Sequence, residues 1–289
     1  MSMPTIAADV SRRCATIPAL VRPLVSFSAL LGIKVLSRMF YRLETSWVGE
    51  EPEDPWSDVR LLCLLNHTSL FEPLFAGVAP NRFLWDIAHR AVVPAADKTM
   101  RRPIVGRFIG MLVRHPVSIT READHTWEAV LSRIQERSLV IILPEGRMRR
   151  ATGLDAEGQP MSVRGGIADI LHVIESGKLL IAYSGGLHHV QVPGQALPRP
   201  FKTLRIRFQE LDIAEYRGQL LAEHGEQGFK RALKADLDAR RDRYSPCTAR
   251  SCARPTLEAL AAPACPTPPF PSRGTTPAHE RAGDTLQDR

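Results

Sequence analysis

Leu61-Leu62-Cys63-Leu64-Leu65-Asn66-His67-Thr68-Ser69-Leu70-Phe71-Glu72-Pro73 is the stretch on which the fold of this chain turns. Its first five residues are apolar without interruption, as in a strand covered on both faces of a parallel sheet. The run then stops at an amide, an imidazole and two hydroxyls, with a carboxylate five positions beyond the imidazole. On one regular helix, His67 and Glu72 would lie about 140° apart, so they can meet only across a turn. Proline favours the first helical position and pushes the residue before it out of the α region. A helix starting at Pro73 therefore leaves 67–72 as a turn in which Glu72 can fold back on His67. Ser69-Leu70-Phe71-Glu72 also fits a helix capping box, although that register puts Pro73 where its missing N–H is unfavourable.

Outward from this stretch, short apolar runs alternate with helical patterns. Strands are expected at Leu61–Leu65, Phe83–Ile87, Val117–Thr120, Leu139–Leu143, Leu179–Tyr183 and Thr203–Phe208, and helices at Asp124–Glu136 and Gly166–Ser176. The alternation predicts an α/β fold, with a mixed, largely parallel sheet covered by helices, and places working residues beyond the carboxyl ends of the strands. The segment Glu210 to Arg243 is charged and reads as helical. Residues 46–244 then form the main domain. From Ser245 to Arg289, eight of the 23 prolines fall among few large apolar side chains, so this tail is expected to be disordered.

Residues 1–45 form a separate N-terminal segment. It carries Arg12, Arg13, Arg22, Lys34, Arg38 and Arg42 against Asp9 alone among its first 43 residues. Its longest apolar or small stretch, Pro23 to Ile33, is well short of the roughly 20 residues a span needs. Lys34, Arg38 and Arg42 share a helical stripe opposite Val25, Ala29, Leu36 and Phe40, a pattern suited to an amphipathic helix lying in a membrane interface, or else to one that covers the sheet of a soluble protein. The net charge of +7 fits an anionic partner. Aromatic residues at 6%, not interleaved with basic ones, argue against single-stranded nucleic acid. Five cysteines without a CxxC pair indicate neither a disulfide framework nor a zinc site.

Two further strand ends carry polar chemistry. Leu139–Leu143 runs into Pro144-Glu145-Gly146-Arg147-Met148-Arg149-Arg150, where arginines suit a phosphate. Val117-Ser118-Ile119-Thr120 ends on Arg121. In order and spacing, the three blocks resemble the glycerolipid acyltransferase family of 1-acylglycerol-3-phosphate acyltransferases and their relatives. Asn66 to Glu72 is similar to its N-H-x-S-x-x-D block, Val117 to Arg121 to its second block, and Leu143-Pro144-Glu145-Gly146 to its F-P-E-G-T-R-S block. The likeness covers roughly residues 55–190. Glu72 stands where the family has aspartate, Arg147-Met148-Arg149 where it has Thr-Arg-Ser, and Leu179–Gly186 lacks the proline of a fourth block.

The resemblance implies a membrane-associated enzyme facing the cytoplasm. It would move an acyl group from acyl-CoA or acyl carrier protein to the hydroxyl of a lysophospholipid, most simply 1-acylglycerol-3-phosphate, without a metal or resident cofactor. His67 is then the general base, oriented by Glu72, and Asn66, Ser69, Arg121, Glu145, Gly146, Arg147, Arg149 and Arg150 bind the acceptor. Arg164 is a further candidate for either substrate's phosphates. The changed Arg147-Met148-Arg149 segment leaves room for another lysolipid or an amino-acid lipid. Rival readings are a serine hydrolase using Ser184, in Ala182-Tyr183-Ser184-Gly185-Gly186, with His224 as a distant partner; a metal site at His188-His189; and a lipid-binding module without activity.

Overall fold

The computed structural model describes residues 18, 20–113, 115–120, 125–192, 195 and 197–246. The basic residues before Pro18, Arg121, Asp124 and the proline-rich tail from Cys247 lie outside them. Seven strands make one mixed sheet: β1 (Tyr41–Trp47), β2 (Val59–Leu65), β3 (Ala91–Ala96), β4 (His115–Ile119), β5 (Leu139–Ile142), β6 (Lys178–Ser184) and β7 (Lys202–Asp212). Their spatial order is β1-β7-β6-β2-β5-β3-β4. Every pairing is parallel except that of β6 with β7. The helices are α1 (Arg22–Phe40), α2 (Asn81–Arg90), α3 (Asp97–Met100), α4 (Pro103–Leu112), α5 (His125–Leu131), α6 (Gly166–Val173) and α7 (Ile213–Tyr244), with a 3-10 turn at Glu72–Gly77.

β2 sits at the centre and explains the uninterrupted apolar run, because both its faces are covered. Leu61, Cys63 and Leu65 join one core with α6 and α7. Leu62 and Leu64 point to the other face, beneath α1, α2 and α4. A register irregularity between Val59 and Leu61 lets Val59 join this second face, against the simple alternation.

Phe83–Ile87, expected as a strand, is the middle of α2. Its buried residues Phe83, Leu84, Ile87 and Ala88 recur at helical spacing; a five-residue apolar window is too short to show that period. β1 and β3 were not expected. β3 contains Pro94, but it pairs with β5 only through Ala91 and Val92, so the proline falls where no ladder bond to β5 is required. β1 pairs with β7 from Tyr41 to Trp47, so the expected boundary at residue 45 falls inside a strand of the sheet. At the other end, β7 runs to Asp212, whose side chain caps α7 by accepting the Glu215 N–H at 2.9 Å.

α1 has an apolar outer face and a polar inner one. Lys34 Nζ donates to Ala79 O at 2.8 Å and Asn81 Oδ1 at 2.6 Å, Ser37 Oγ to Leu74 O at 2.7 Å, and Arg38 Nε to Gly77 O at 2.8 Å. These bonds satisfy carbonyls around the end of the 3-10 turn, groups that a helix terminus leaves without internal partners. Lys34 is therefore buried, whereas Arg38 is exposed although bonded to Gly77 O, and Arg42 lies outside the helix, on β1. Leu24, Val35, Leu36 and Met39 are each about half exposed on the outside. Arg22–Phe40 has the length and apolarity of a membrane-crossing helix, as do some soluble core helices and signal sequences.

Candidate active site

β2 delivers the chain to the carboxyl edge of the sheet, and Asn66 reverses it there. Its φ of 64° is left-handed, a conformation asparagine tolerates better than most residues. The Asn66 amide Nδ2 donates to Ser184 O at the end of β6, at 2.7 Å. The next residue, His67, is hydrogen-bonded through Nδ1 to Glu72 Oε2. Glu72 Oε1 accepts the backbone N–H of Thr68 at 2.8 Å and of Ser69 at 3.3 Å. One oxygen of Glu72 thus folds back on the imidazole and the other takes two N–H groups, but the capping box itself does not form: the 3-10 turn begins at Glu72 with Phe71 at its N-cap and no side-chain cap. Pro73 is the second residue of the 3-10 turn, where its missing donor is harmless.

With Nδ1 committed to Glu72, Nε2 is the nitrogen left for a ligand. Burial pushes the imidazole pKa down, but the charge and hydrogen bond of Glu72, with the charge of Glu145, outweigh it and hold His67 above its ordinary value. The side chain is only 13% exposed, so Glu72 acts on it with little screening.

The second strand end meets the first from below. Glu145 is buried, and its carboxylate accepts the peptide N–H of His67 at 2.8 Å and of Asn66 at 3.3 Å. Arg241, from the last turn of α7, reaches the same carboxylate at 3.3 Å. Glu145 therefore spends its oxygens on the protein's own donors, propping up the His67 turn, and does not line the cavity, a correction to its expected binding role. Ser69 is likewise turned inward, its hydroxyl donating to Gln191 Oε1 at 2.8 Å and accepting the Phe71 N–H at 3.2 Å. Asn66, engaged with Ser184 O and Glu145, also shapes the turn.

The remaining expected contacts diverge. Gly146 is exposed with φ 65°, and an added Cβ would press on Arg164 at 3.1 Å. Arg147 forms ion pairs with Asp155, which is buried, and with Glu157 at 3.1 Å. Arg149 ties its N–H to His67 O at 2.7 Å and its guanidinium to Gly153 O at 3.3 Å, while Arg150 is exposed. Arg121 lies outside the described residues.

A cavity of about 630 Å³ opens beside His67 and Glu72. It runs past Leu62 and Leu64 to an aromatic wall of Trp56, Phe83 and Phe208, which pack with ring centroids 4.9 and 5.2 Å from Trp56. Arg147, Arg164 and Lys230 border it as well. Lys230 Nζ and Trp127 Nε1 both donate to Asp169, at 3.1 and 3.0 Å. One pocket thus combines an imidazole, cations and a long apolar interior.

Ser184 is fully buried, and its hydroxyl accepts the Gly186 N–H at 3.0 Å, a turn-stabilising contact rather than an exposed nucleophile. His189 Nε2 is bound to Thr203 O at 2.7 Å. Among the described residues, no three His, Cys, Asp or Glu side chains are grouped to hold a metal ion. Arg241, Gln191, Lys230 and Trp127 were missed in the sequence. For Arg241 a signal existed: Phe229, Leu233, Leu237 and Arg241 are all buried at a spacing of four, which puts an arginine on an apolar stripe. Comparison with protein-family models and with curated protein sequences finds no match to this chain.

Proposed function

We propose that this protein is an O-acyltransferase that carries an acyl group from a thioester donor, acyl-CoA or acyl carrier protein, to a lysophospholipid hydroxyl, with 1-acylglycerol-3-phosphate as the leading acceptor. The observation that carries the proposal is the His67–Glu72 hydrogen bond at the mouth of an apolar cavity large enough for a fatty acyl chain. Glu72 accepts a hydrogen bond from the His67 Nδ1–H, which leaves Nε2 with a lone pair to accept the acceptor's O–H proton. The alkoxide oxygen bonds to the thioester carbonyl carbon, the C–S bond breaks, and the leaving thiolate recovers the proton from the imidazolium. Glu72 stabilises that imidazolium, as a triad carboxylate does, without a protein nucleophile.

The cations at the cavity border suit an anionic headgroup or the donor's phosphates. Each of these cations already has a protein partner: Arg147 pairs with Asp155 and Glu157, Lys230 with Asp169, and Arg164 donates to Glu145 O. The exposed apolar stripe of α1 supports attachment to a membrane, on its cytoplasmic side, where acyl thioesters and lysolipids meet.

Incubation of the chain with a radiolabelled acyl thioester and lysophosphatidate tests the reading. Labelled diacyl product is expected, and lost in His67→Ala. Release of free acid alone would indicate a hydrolase, and neither product a binding module; full turnover by His67→Ala would sink the proposal.

A further inference from the structure

We propose that Arg241, on the closing helix and far in sequence from the rest of the site, is a positioning residue for His67: its guanidinium keeps Glu145 ionised, and the Glu145 carboxylate holds the two peptide N–H groups that aim the imidazole. The proposal rests on the reading of His67 as the base.

The geometry is a chain of three links. Arg241, 5% exposed, places one guanidinium nitrogen 3.3 Å from Glu145 Oε1, 2.7 Å from Asp238 Oδ1 and 3.2 Å from Met161 O, while its Nε donates to Asp242 at 2.9 Å. Glu145, 1% exposed, spends both oxygens on the N–H groups of Asn66 and His67. His67 bonds Glu72 with its ring. A carboxylate at such depth survives only if charge and donors surround it. Among the described residues, few charged and titratable groups face Glu145. From β2 there is the buried thiol of Cys63; from the turn, His67; from α7, Arg241, itself braced by Asp238 and Asp242. Arg164 reaches only the Glu145 backbone oxygen, at 3.3 Å. Among the described residues, Arg241 is thus the cation facing this carboxylate that never titrates near neutrality.

Burial pushes Glu145 above the usual carboxylate range, with the His67 N–H and Arg241 opposing it. Without Arg241, one fewer charge opposes the burial of Glu145, its carboxyl takes up a proton more readily, and a protonated oxygen becomes a donor facing two other donors. The turn then loses a prop, and His67 loses one of the negative charges that raise its pKa.

This gives the coupling a sign. A purely structural arginine, removed with Glu145 still charged, leaves His67 unchanged or raises its pKa, because a positive charge has gone. An arginine acting through Glu145 lowers it. NMR titration of the His67 ring in the full chain distinguishes the two. In Arg241→Met the His67 pKa is expected to fall toward the ordinary value near 6.5, and acyl transfer to lose kcat by about 10²-fold through misplacement with KM nearly unchanged. Arg241→Lys, which keeps the cation, is expected to restore most of both. A His67 pKa that stays or rises in Arg241→Met overturns the proposal.

Should the methionine variant not fold, Glu145→Gln removes the charge directly. It is expected to lower the His67 pKa, and Arg241→Lys in that background to change nothing further; an additional shift overturns the coupling. A wild-type chain that titrates as described yet transfers no acyl group rejects the acyltransferase reading and leaves the coupling standing.

Discussion

At the scale of single residues, the two oxygens of Glu72 carry separate duties, and substitution can split them. In Glu72→Gln, an amide oxygen can still accept the Thr68 and Ser69 N–H groups, but an NH₂ then faces His67 Nδ1. The imidazole must accept there, which puts its proton on Nε2 and removes the base. Transfer is expected to fall by about 10²–10⁴-fold, with little change in thermal midpoint; equal loss of both in a melting experiment would show Glu72 to be structural only. The raised pKa of His67 fixes the pH dependence as well. The base works only when neutral, so activity falls as pH drops through a value above the usual 6.5. A kcat/KM profile whose acid limb lies below that value would contradict the geometry. For stability the sign is opposite: the preferential protonation of folded His67 stabilises the protein below the unfolded pKa, and that contribution is lost as pH rises through the folded one.

At the scale of elements, α1 and α4 show how close packing sets the site. α4 crosses the end of α3 so tightly that a Cβ on Gly106 would stand 2.0 Å from the Met100 carbonyl oxygen. Backbone cannot yield as a flexible side chain does, so Gly106→Ala is expected to cost at least the roughly 1–3 kcal/mol typical of overpacking, read as a lower midpoint in denaturant. α1 makes the converse case, since its outer residues touch little. Leu24→Glu with Val35→Glu places charge on that face and is expected to move the protein from the membrane pellet to the soluble fraction while its melting temperature stays put. Persistence in the pellet would remove the membrane role from α1. Deleting residues 1–42 is a harsher test, because Lys34, Ser37 and Arg38 also secure the turn that follows Glu72.

At the scale of the whole molecule, the sheet separates two cores, and residues of both, Ile142 and Ile167 from one and Phe83 and Leu84 from the other, line the cavity. Leu62 and Leu64 are only partly buried for that reason, although they lie on the central strand. Leu64→Trp would occupy the space an acyl chain needs. It is expected to abolish transfer of long-chain donors more than short-chain ones, as measured by competition between donors in one reaction; an unchanged ratio would place the chain elsewhere.

Much of this was legible in the residues themselves. The strand Leu61–Leu65, the turn after it, the meeting of His67 with Glu72 and the α/β class all follow from local rules: apolar runs, the backbone limits of proline, and the reach of a side chain five positions away. The inward turn of Glu145 was not legible, because its partners are peptide groups 78 and 79 positions earlier and an arginine 96 positions later. Nor was the inverted face of α1, whose lysine finds its carbonyl 45 residues on. Sequence determines what each segment can do with its neighbours; only the closed fold determines which buried charges meet, since that depends on contacts between segments that no local pattern records.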